Sequence, residues 1–308
     1  MDASRPAAIT LPSDGLFPSH VTGHGMDMDD LNGFTTAQVL RALGATGRRI
    51  LGATVHDAAL HALLSCRNPA TGGFRFWPLD KHPQWAPGLP DDADDTAIMA
   101  LVLFSANRIS TPDLRKMACH TVVCHRTRAT VQPGPSWQRV GVFKTWMKSG
   151  FDPDMTDCTV NANVVALLAK ANLRNVPGYA ESCSMILEAI SWANNDEQRA
   201  ACLSPFYPEP GELTLAVEAA AACGAVELRP ALQAMHAAPM WRRLRERTCT
   251  EVPTICGSPY GLIRWKSPAV GWARQIGGLA AGCPPALLSS LNDVRRHSHG
   301  ILHVRNAC

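Results

Sequence analysis

Aromatic residues, an excess of charge of one sign and long apolar runs are all scarce in this chain of 308 residues. The net charge is only +3, and the 29 basic residues do not gather into an arm or an Arg-rich helix, which argues against a nucleic-acid partner. The longest apolar stretches, such as Ala97 to Phe104, are far shorter than the roughly 20 residues that span a membrane. We therefore expect a cytoplasmic protein without a transmembrane segment.

We expect no secretory signal from the first residues, and the cysteine spacing is irregular, so the eleven cysteines do not indicate a disulfide framework. Reduced thiols are the better interpretation. Cys119, His120, Cys124 and His125 have a spacing that would place two or three zinc ligands on one face of a helix. No second Cys/His pair of matching spacing follows this cluster, so the sequence predicts no metal site there, and zinc enters only as an alternative.

Apolar residues at helical spacing are abundant. From residue 36 onward they recur every three to four positions, whereas the alternation typical of strands is nearly absent, so the sequence predicts an all-α fold. Residues 1–33 lack such periodicity and are expected to form an irregular N-terminal arm. The predicted helices are Thr36 to Leu43, Ile50 to Leu64, Asp94 to Asn107, Pro112 to His125, Thr156 to Asn172, Tyr179 to Trp192, Glu212 to Cys223 and Arg229 to His236, with weaker patterns over Met240 to Arg247, Val270 to Ala281 and Pro285 to Val294.

A loop motif of the form Gly-x-Phe-basic-x-Trp repeats between helices. It occurs at residues 72–77 and 141–146, with a degenerate copy at residues 261–265. The spacings fit multiples of about 60 residues, which is typical of repeated helical hairpins. We therefore expect residues 34–308 to form a single α/α toroid, a barrel of helical hairpins. The basic residues at the same place in the three copies would form a diphosphate clamp: Arg75, Lys144 and Arg264.

An acidic stretch at residues 91–95 carries the strongest functional signal. It holds four carboxylates in five positions, directly before the helical pattern that continues through Ala97. One Asp is enough to cap a helix, so capping alone does not explain the cluster. Carboxylates crowded into a poorly solvated cavity push at least one pKa upward, so that one group holds a proton at neutral pH and can donate it.

The run Asp92-Ala93-Asp94-Asp95-Thr96-Ala97 resembles the Asp-x-Asp-Asp-Thr-Ala motif of class II terpene cyclases. The resemblance implies that Asp94 protonates an alkene or epoxide, and that Asp92 and Asp95 hold the acid in its reactive geometry. It also implies helical barrel domains with Gly- and aromatic-rich repeats. Most members of the family pair two barrels, so here a partner subunit or a second copy of the chain would close the pocket. The glutamine-Trp repeats of triterpene cyclases are not evident.

Other side chains complete the predicted site. Asn161 and Asn163 lie two positions apart on a predicted helix and cannot both point the same way, so one of them would orient the acid or a proton-accepting water. The Phe206-Tyr207-Pro208 turn would add to the pocket wall. Aromatic rings near the motifs would stabilise a carbocation through their faces, and the candidates are Trp77, Trp85, Phe143 and Trp146.

Two competing patterns weaken the motif. A second Asp-x-Asp-Asp run, Asp27 to Asp30, lies in the predicted arm without the Thr-Ala continuation, and we interpret it as a solvated loop or cap. Residues 91–95 also satisfy Asp-Asp-x-x-Asp, the magnesium and diphosphate motif of class I isoprenoid synthases. The companion motif of that class does not appear downstream, so class I chemistry is the weaker interpretation.

The sequence therefore predicts a lyase or isomerase that cyclises a linear isoprenoid, in particular a prenyl diphosphate, with Asp94 as general acid. Mg²⁺ would accompany a substrate that keeps its diphosphate, and no other cofactor is expected. Asn161, Asn163 or His120 would serve as the terminating base. The alternatives are a non-catalytic toroid that binds a prenyl group or a partner protein, and a zinc-dependent toroid enzyme.

Overall fold

A computed structural model describes residues 14–86, 89–130, 134–148 and 155–282, with only the backbone of 279–282. Most of the predicted helices are confirmed, and Pro285 to Val294 lies outside the described residues. The α-helices are α1 Gly33–Leu43, α2 Gly47–Leu51, α3 Ala53–Ser65, α4 Ala93–Ser105, α5 Thr111–Lys116, α6 Cys158–Lys170, α7 Tyr179–Ala193, α8 Glu197–Ala201, α9 Gly211–Ala222, α10 Arg229–Ala237, α11 Pro239–Arg247 and α12 Pro268–Gly282. A π-helical segment, Met117–Val122, follows α5. In the described part of the chain, no helix is both long and apolar enough to cross a membrane.

Four strands form one antiparallel sheet in the order β2, β1, β4, β3. They are β1 Pro18–Gly23, β2 Met26–Leu31, β3 Thr254–Gly257 and β4 Arg264–Lys266. The structure is therefore mixed α/β, and the prediction of an all-α fold made of a single α/α toroid is wrong. Residues 18–31, which the sequence placed in an irregular arm, provide half of the sheet.

The strands escape sequence analysis because the sheet depends on the pairing of β1 with β4, which is distant in the sequence. β1 and β2 form a hairpin whose two-residue loop, His24 and Gly25, has positive φ at both positions, as type I′ turns require. β2 reads Met-Asp-Met-Asp-Asp-Leu, a composition that is unfavourable for a strand. Its hairpin is fixed instead by β4, which pairs with β1 at His20 and Lys266. Local periodicity cannot reveal such a pairing.

Helix α6 lies at the centre of the fold. Every residue from 158 to 169 is buried, and the helix packs against α4, α7 and α9. Helix α4 packs in turn against α1, and α1 packs against α12. A mostly apolar helix without a polar face is stable only when other elements surround it, and α6 is enclosed in this way.

The Gly-x-Phe loops fasten the N-termini of three central helices. In each loop the Phe backbone N–H donates to a side chain one turn inside the following helix, at 2.9 Å in all three cases. The preceding Gly has φ between 78° and 84°, in the left-handed region that favours glycine. Gly15-Leu16-Phe17 is one of these three loops, and sequence analysis missed it. The predicted degenerate copy at residues 261–265 is not one of them and instead leads into β4. The pairs are Phe17 with Thr36, Phe74 with Thr96 and Phe143 with Asn161.

Asp30, which the sequence placed in a solvated loop, is buried and joins the sheet to the aromatic cluster. Its carboxylate accepts hydrogen bonds from the indole N–H of Trp77 at 3.0 Å and of Trp265 at 2.9 Å, and from Asn32 Nδ2 at 2.8 Å. The rings of Trp77 and Trp265 also pack with Phe76. One carboxylate therefore satisfies three buried donors from three parts of the chain.

We expect Asp30→Ala to destabilise the protein by about 2–4 kcal/mol, because it leaves buried indole N–H groups without an acceptor. Asp29→Ala is the matched control, since the Asp29 side chain is 90% exposed and should change the free energy of unfolding by about 0.5 kcal/mol or less. Urea unfolding followed by Trp fluorescence measures both variants. Equal stability of the two would show that Asp30 does not hold the cluster.

Candidate active site

The acidic stretch forms the first turn of α4. Asp92 is the N-cap, and its Oδ1 accepts the Asp95 backbone N–H at 2.6 Å. The backbone on both sides of the cap is held by loops, because Asp92 N–H donates to Phe74 O at 3.1 Å and Ala93 N–H donates to Thr145 O at 2.8 Å. This double attachment brings carboxylates that the sequence predicted as a cluster into the interior.

Asp94 is 6% exposed, and both of its carboxyl oxygens have partners. Asn163 on α6 donates its amide to Asp94 Oδ1 at 2.7 Å, and the Tyr207 hydroxyl forms a hydrogen bond with Asp94 Oδ2. Helices α4 and α6 and the segment before α9 thus meet at one carboxyl group. The predicted role of one Asn in orienting the acid fits Asn163.

Burial raises the pKa of Asp94 above its usual range, whereas the hydrogen bonds from Tyr207 and Asn163 and the charge of Arg41 act in the opposite direction. The net shift is upward, which favours a protonated carboxyl group. Once Asp94 has given up its proton, the same two donors stabilise the carboxylate that remains. The arrangement suits a group that alternates between acid and conjugate base.

Asp92 and Asp95 form an acidic pair beside Asp94. Both oxygens of Asp95 are buried, and neither has a hydrogen-bond partner among the described residues. Burial and the neighbouring Asp92 carboxylate raise the pKa of Asp95 well above its usual range, and burial raises the pKa of Asp92 to about 7. The pair therefore retains at least one proton at neutral pH, because two adjacent buried carboxylates cannot both ionise at low cost.

Asp91, the first carboxylate of the stretch, has a structural role. Its carboxylate forms an ion pair with Arg75 Nε at 2.7 Å and accepts hydrogen bonds from Asn68 Nδ2 and from the Thr71 hydroxyl. These contacts hold the loop that begins at Gly72. Arg75, which the sequence assigned to a diphosphate clamp, is thus already paired with a protein carboxylate.

Asp157 fixes the segment that carries Tyr207. As N-cap of α6, its Oδ1 accepts the Val160 N–H at 3.0 Å, while Oδ2 accepts the Phe206 N–H at 3.0 Å. Thr159 and Ser204 add a second connection between the same two segments. Asp157 therefore acts on the site through Tyr207. The sequence predicted its role as a helix cap but not this second role.

Burial raises the pKa of Asp157 from 3.8 to about 7. Because the folded-state pKa is raised, stability from this group is greatest below about pH 4 and is lost as pH rises towards 7. Asp157→Asn lacks this titration. The difference in free energy of unfolding between the variant and the parent protein should therefore shift by about 4 kcal/mol in favour of the variant from pH 4 to pH 8. Urea unfolding at both pH values measures the difference, with exposed Asp80→Asn as control. Parallel pH profiles of the variant and the parent protein would contradict the raised pKa.

The other predicted Asn is structural. Asn161 Oδ1 accepts the Phe143 N–H at 2.9 Å and the Ser182 hydroxyl at 2.8 Å, and its amide donates to Phe143 O and Asp157 O. Every polar atom of its side chain is occupied, so Asn161 is not positioned as the terminating base. Its function is to bind the Gly-x-Phe loop at residues 141–143.

A cavity of about 500 Å³ lies next to the two partners of Asp94, since Asn163 and Tyr207 are part of its wall. The wall also includes Thr159 and the buried ion pair of Glu212 with Arg274, at 2.7 and 2.8 Å. Asp94 itself is not among the described residues that line the cavity, so its carboxyl group is linked to the cavity through its two partners. Tyr207 comes from the turn that the sequence assigned to the pocket wall.

The predicted aromatic residues do not line this cavity in the described part of the structure. Trp77 is buried against Asp30, and Trp85 is 36% exposed and packs on Trp77 and Trp265. Phe143 is buried in the Gly-x-Phe loop at residues 141–143, and Trp146 packs edge-on against Phe206 with ring centres 5.9 Å apart. These rings pack in the loops and against the sheet, and they do not face the cavity in which a carbocation would form.

The two other basic residues of the predicted clamp also lie apart from this cavity. The Lys144 backbone N–H donates to His125 O at 3.1 Å. Burial and, to a smaller extent, the Lys144 charge lower the pKa of His125. Arg264 lies on β4, where its Nε donates to Gly261 O at 3.1 Å. Neither residue is among the described residues that line the cavity next to Asp94.

In the described ranges, no three His, Cys, Asp or Glu side chains are arranged to hold a metal ion. Asp91, Asp92 and Asp94 are each hydrogen-bonded to a different protein partner. Cys119 and His120 line a surface depression, and the Cys124 thiol donates to His120 O. No mechanistic step is therefore assigned to Mg²⁺ or Zn²⁺.

Comparisons with models of protein families, with curated proteins and with solved structures give no match to this chain. The assignment of a function therefore rests on the geometry of Asp94 and its surroundings.

Proposed function

We propose that this protein is a proton-initiated cyclase of a linear isoprenoid, similar in its chemistry to class II terpene cyclases, with Asp94 as the proton source. The observation that carries the proposal is a buried carboxyl group of raised pKa, bound by Asn163 and Tyr207, which both line a cavity. An acid that must protonate a weakly basic alkene needs a dry environment and a conjugate base that is stabilised by hydrogen bonds.

In this mechanism Tyr207 transfers the proton, because it is bonded to Asp94 and lines the cavity. The Tyr207 O–H bond breaks as a C–H bond forms at one carbon of the terminal alkene, and Asp94 Oδ2 returns a proton to the phenolic oxygen. Burial raises the pKa of Tyr207 well above its usual range, and the charge of Asp94 adds to this shift once Asp94 has lost its proton, so the hydroxyl passes the proton without ionising.

The other alkene carbon becomes a cation, and the next double bond attacks it to close a ring. Loss of a proton from the cyclic cation then gives an isomer of the substrate. The Asp94 carboxylate keeps the Asn163 hydrogen bond, and the nearby charge of Arg41 stabilises it further until solvent returns a proton. Asp92 and Asp95 support the first turn of α4 and add little negative charge while they share protons.

Incubation of the purified protein with geranyl, farnesyl and geranylgeranyl diphosphates and with squalene tests the proposal. Products are analysed by mass spectrometry after phosphatase treatment, with and without Mg²⁺. We expect a cyclic isomer of at least one substrate. Recovery of only linear material would contradict the proposal and favour a non-catalytic protein that binds a prenyl group or a partner protein.

A further inference from the structure

Arg41 on α1 belongs to the walls of two cavities. One is the cavity of about 500 Å³ that Asn163 and Tyr207 line. The other, of about 670 Å³, is bounded by side chains of α1, α3, α4 and α9, with apolar residues such as Leu60 and Ile98 along its wall. Both walls also include Ala219 and Ala222. Arg41 therefore stands where the two spaces meet.

The Arg41 charge is not neutralised by a direct partner. In the described ranges its guanidinium forms no hydrogen bond or ion pair, and Asp94 and Glu212 act on it only from a distance. Two neighbouring arginines behave differently, because Arg274 is paired with Glu212 at 2.7 Å and Arg245 with Glu218 at 2.6 Å. Arg41 is only partly buried, and a partly dehydrated guanidinium without a partner carboxylate suits an anion.

The mouth of the larger cavity carries further positive charge. Arg48 and Arg108 share a single carboxylate, that of Asp57, at 2.6 and 2.8 Å. Together with Arg41, three guanidinium groups and one carboxylate lie in the wall of this cavity. Arg48 and Arg108 line the larger cavity, whereas Asn163 and Tyr207 line the smaller one.

We propose that Arg41, with Arg48 and Arg108, binds the diphosphate of the substrate in the larger cavity. A guanidinium fork matches phosphate oxygens through two parallel hydrogen bonds. The hydrocarbon chain then passes Arg41, and its terminal alkene reaches the smaller cavity beside Tyr207. This inference rests on the proposed function for the identity of the chain, but the anion site is testable separately.

Isothermal titration calorimetry with inorganic pyrophosphate at low ionic strength, without metal, tests the anion site directly. We expect Arg41→Gln to weaken binding about 10- to 100-fold and Arg41→Lys to recover only part of the loss, because lysine lacks the fork. Arg199→Gln is the control, since Arg199 is exposed on α8 and outside both cavities. Arg108→Gln tests the mouth in case Arg41→Gln does not fold, and should also weaken binding.

The outcomes separate the two proposals. Unchanged pyrophosphate binding in a folded Arg41→Gln protein, or no binding by the parent protein at millimolar concentration, overturns the anion site even if cyclisation is observed. If pyrophosphate binding depends on Arg41 and Arg108 but the protein cyclises no substrate, the anion site is supported and the cyclase proposal is wrong.

Discussion

Replacement of Asp94 by Asn is expected to lower the rate of cyclisation on the order of 10³-fold, within the usual range for the loss of a general acid. Asn has the shape of a protonated Asp and can keep both hydrogen bonds, since its oxygen accepts from Asn163 and its amide donates to the Tyr207 oxygen. It cannot supply a proton. The loss should therefore appear in kcat, with little change in KM.

The same variant should fold at least as well as the parent protein. The pKa of Asp94 is raised in the folded state, whereas in the unfolded chain the group is ionised at pH 7 to 8. This difference lowers the stability of the folded protein, and Asn, which does not titrate, removes the loss. Asp80→Asn, at an exposed position, is the control for activity. An Asp94→Asn protein with a normal unfolding midpoint and more than about a tenth of the parent kcat would exclude Asp94 as the proton source.

Replacement of Tyr207 by Phe is expected to lower kcat on the order of 10²- to 10³-fold, because the ring keeps its place while the hydroxyl that transfers the proton is lost. The change also removes a hydrogen-bond donor to the Asp94 carboxylate. The pKa of Asp94 should then rise further, and the alkaline limb of the kcat profile should move to higher pH. Initial rates between pH 5 and pH 9 measure both effects.

Tyr179→Phe is the matched control for this prediction. Tyr179 is also a buried tyrosine whose hydroxyl bonds a carboxylate, but that partner is Glu227, away from the acidic stretch. Its variant should keep the parent kcat and pH profile. If Tyr207→Phe keeps the parent kcat as well, the proton does not pass through Tyr207 and Asp94 must reach the alkene directly.

Most of the helices could be predicted from the sequence because each displays its burial locally, whereas the short helix α8 was not predicted. The repeat of apolar residues over α6 and α7 reflects packing within one or two turns, and Asp92 and Asp157 mark helix starts in the way that caps usually do. The strands could not be predicted, because β1 and β4 are short and each is stabilised by a partner distant in the sequence. Their pairing is a tertiary property.

The site was predictable in part. The density of carboxylates identified the first turn of α4, and the placement of Asn163 opposite Asn161 followed from helical geometry. Tyr207 as a direct partner of Asp94 could not be derived, because the contact joins segments more than a hundred residues apart, and the sequence had only marked its turn as pocket wall. Arg41 was missed altogether, since one arginine in an amphipathic helix is indistinguishable from a surface residue until the cavities around it are known.

The central claim is that the reaction begins with transfer of a proton to carbon rather than with loss of diphosphate. Incubation of the parent protein with a cyclised prenyl diphosphate substrate in D₂O, followed by mass spectrometry and NMR of the product, tests this directly. We predict a cyclic product that retains its diphosphate and carries one deuterium on a carbon of the former terminal alkene. A cyclic product without deuterium, or one formed with release of diphosphate, would contradict the account.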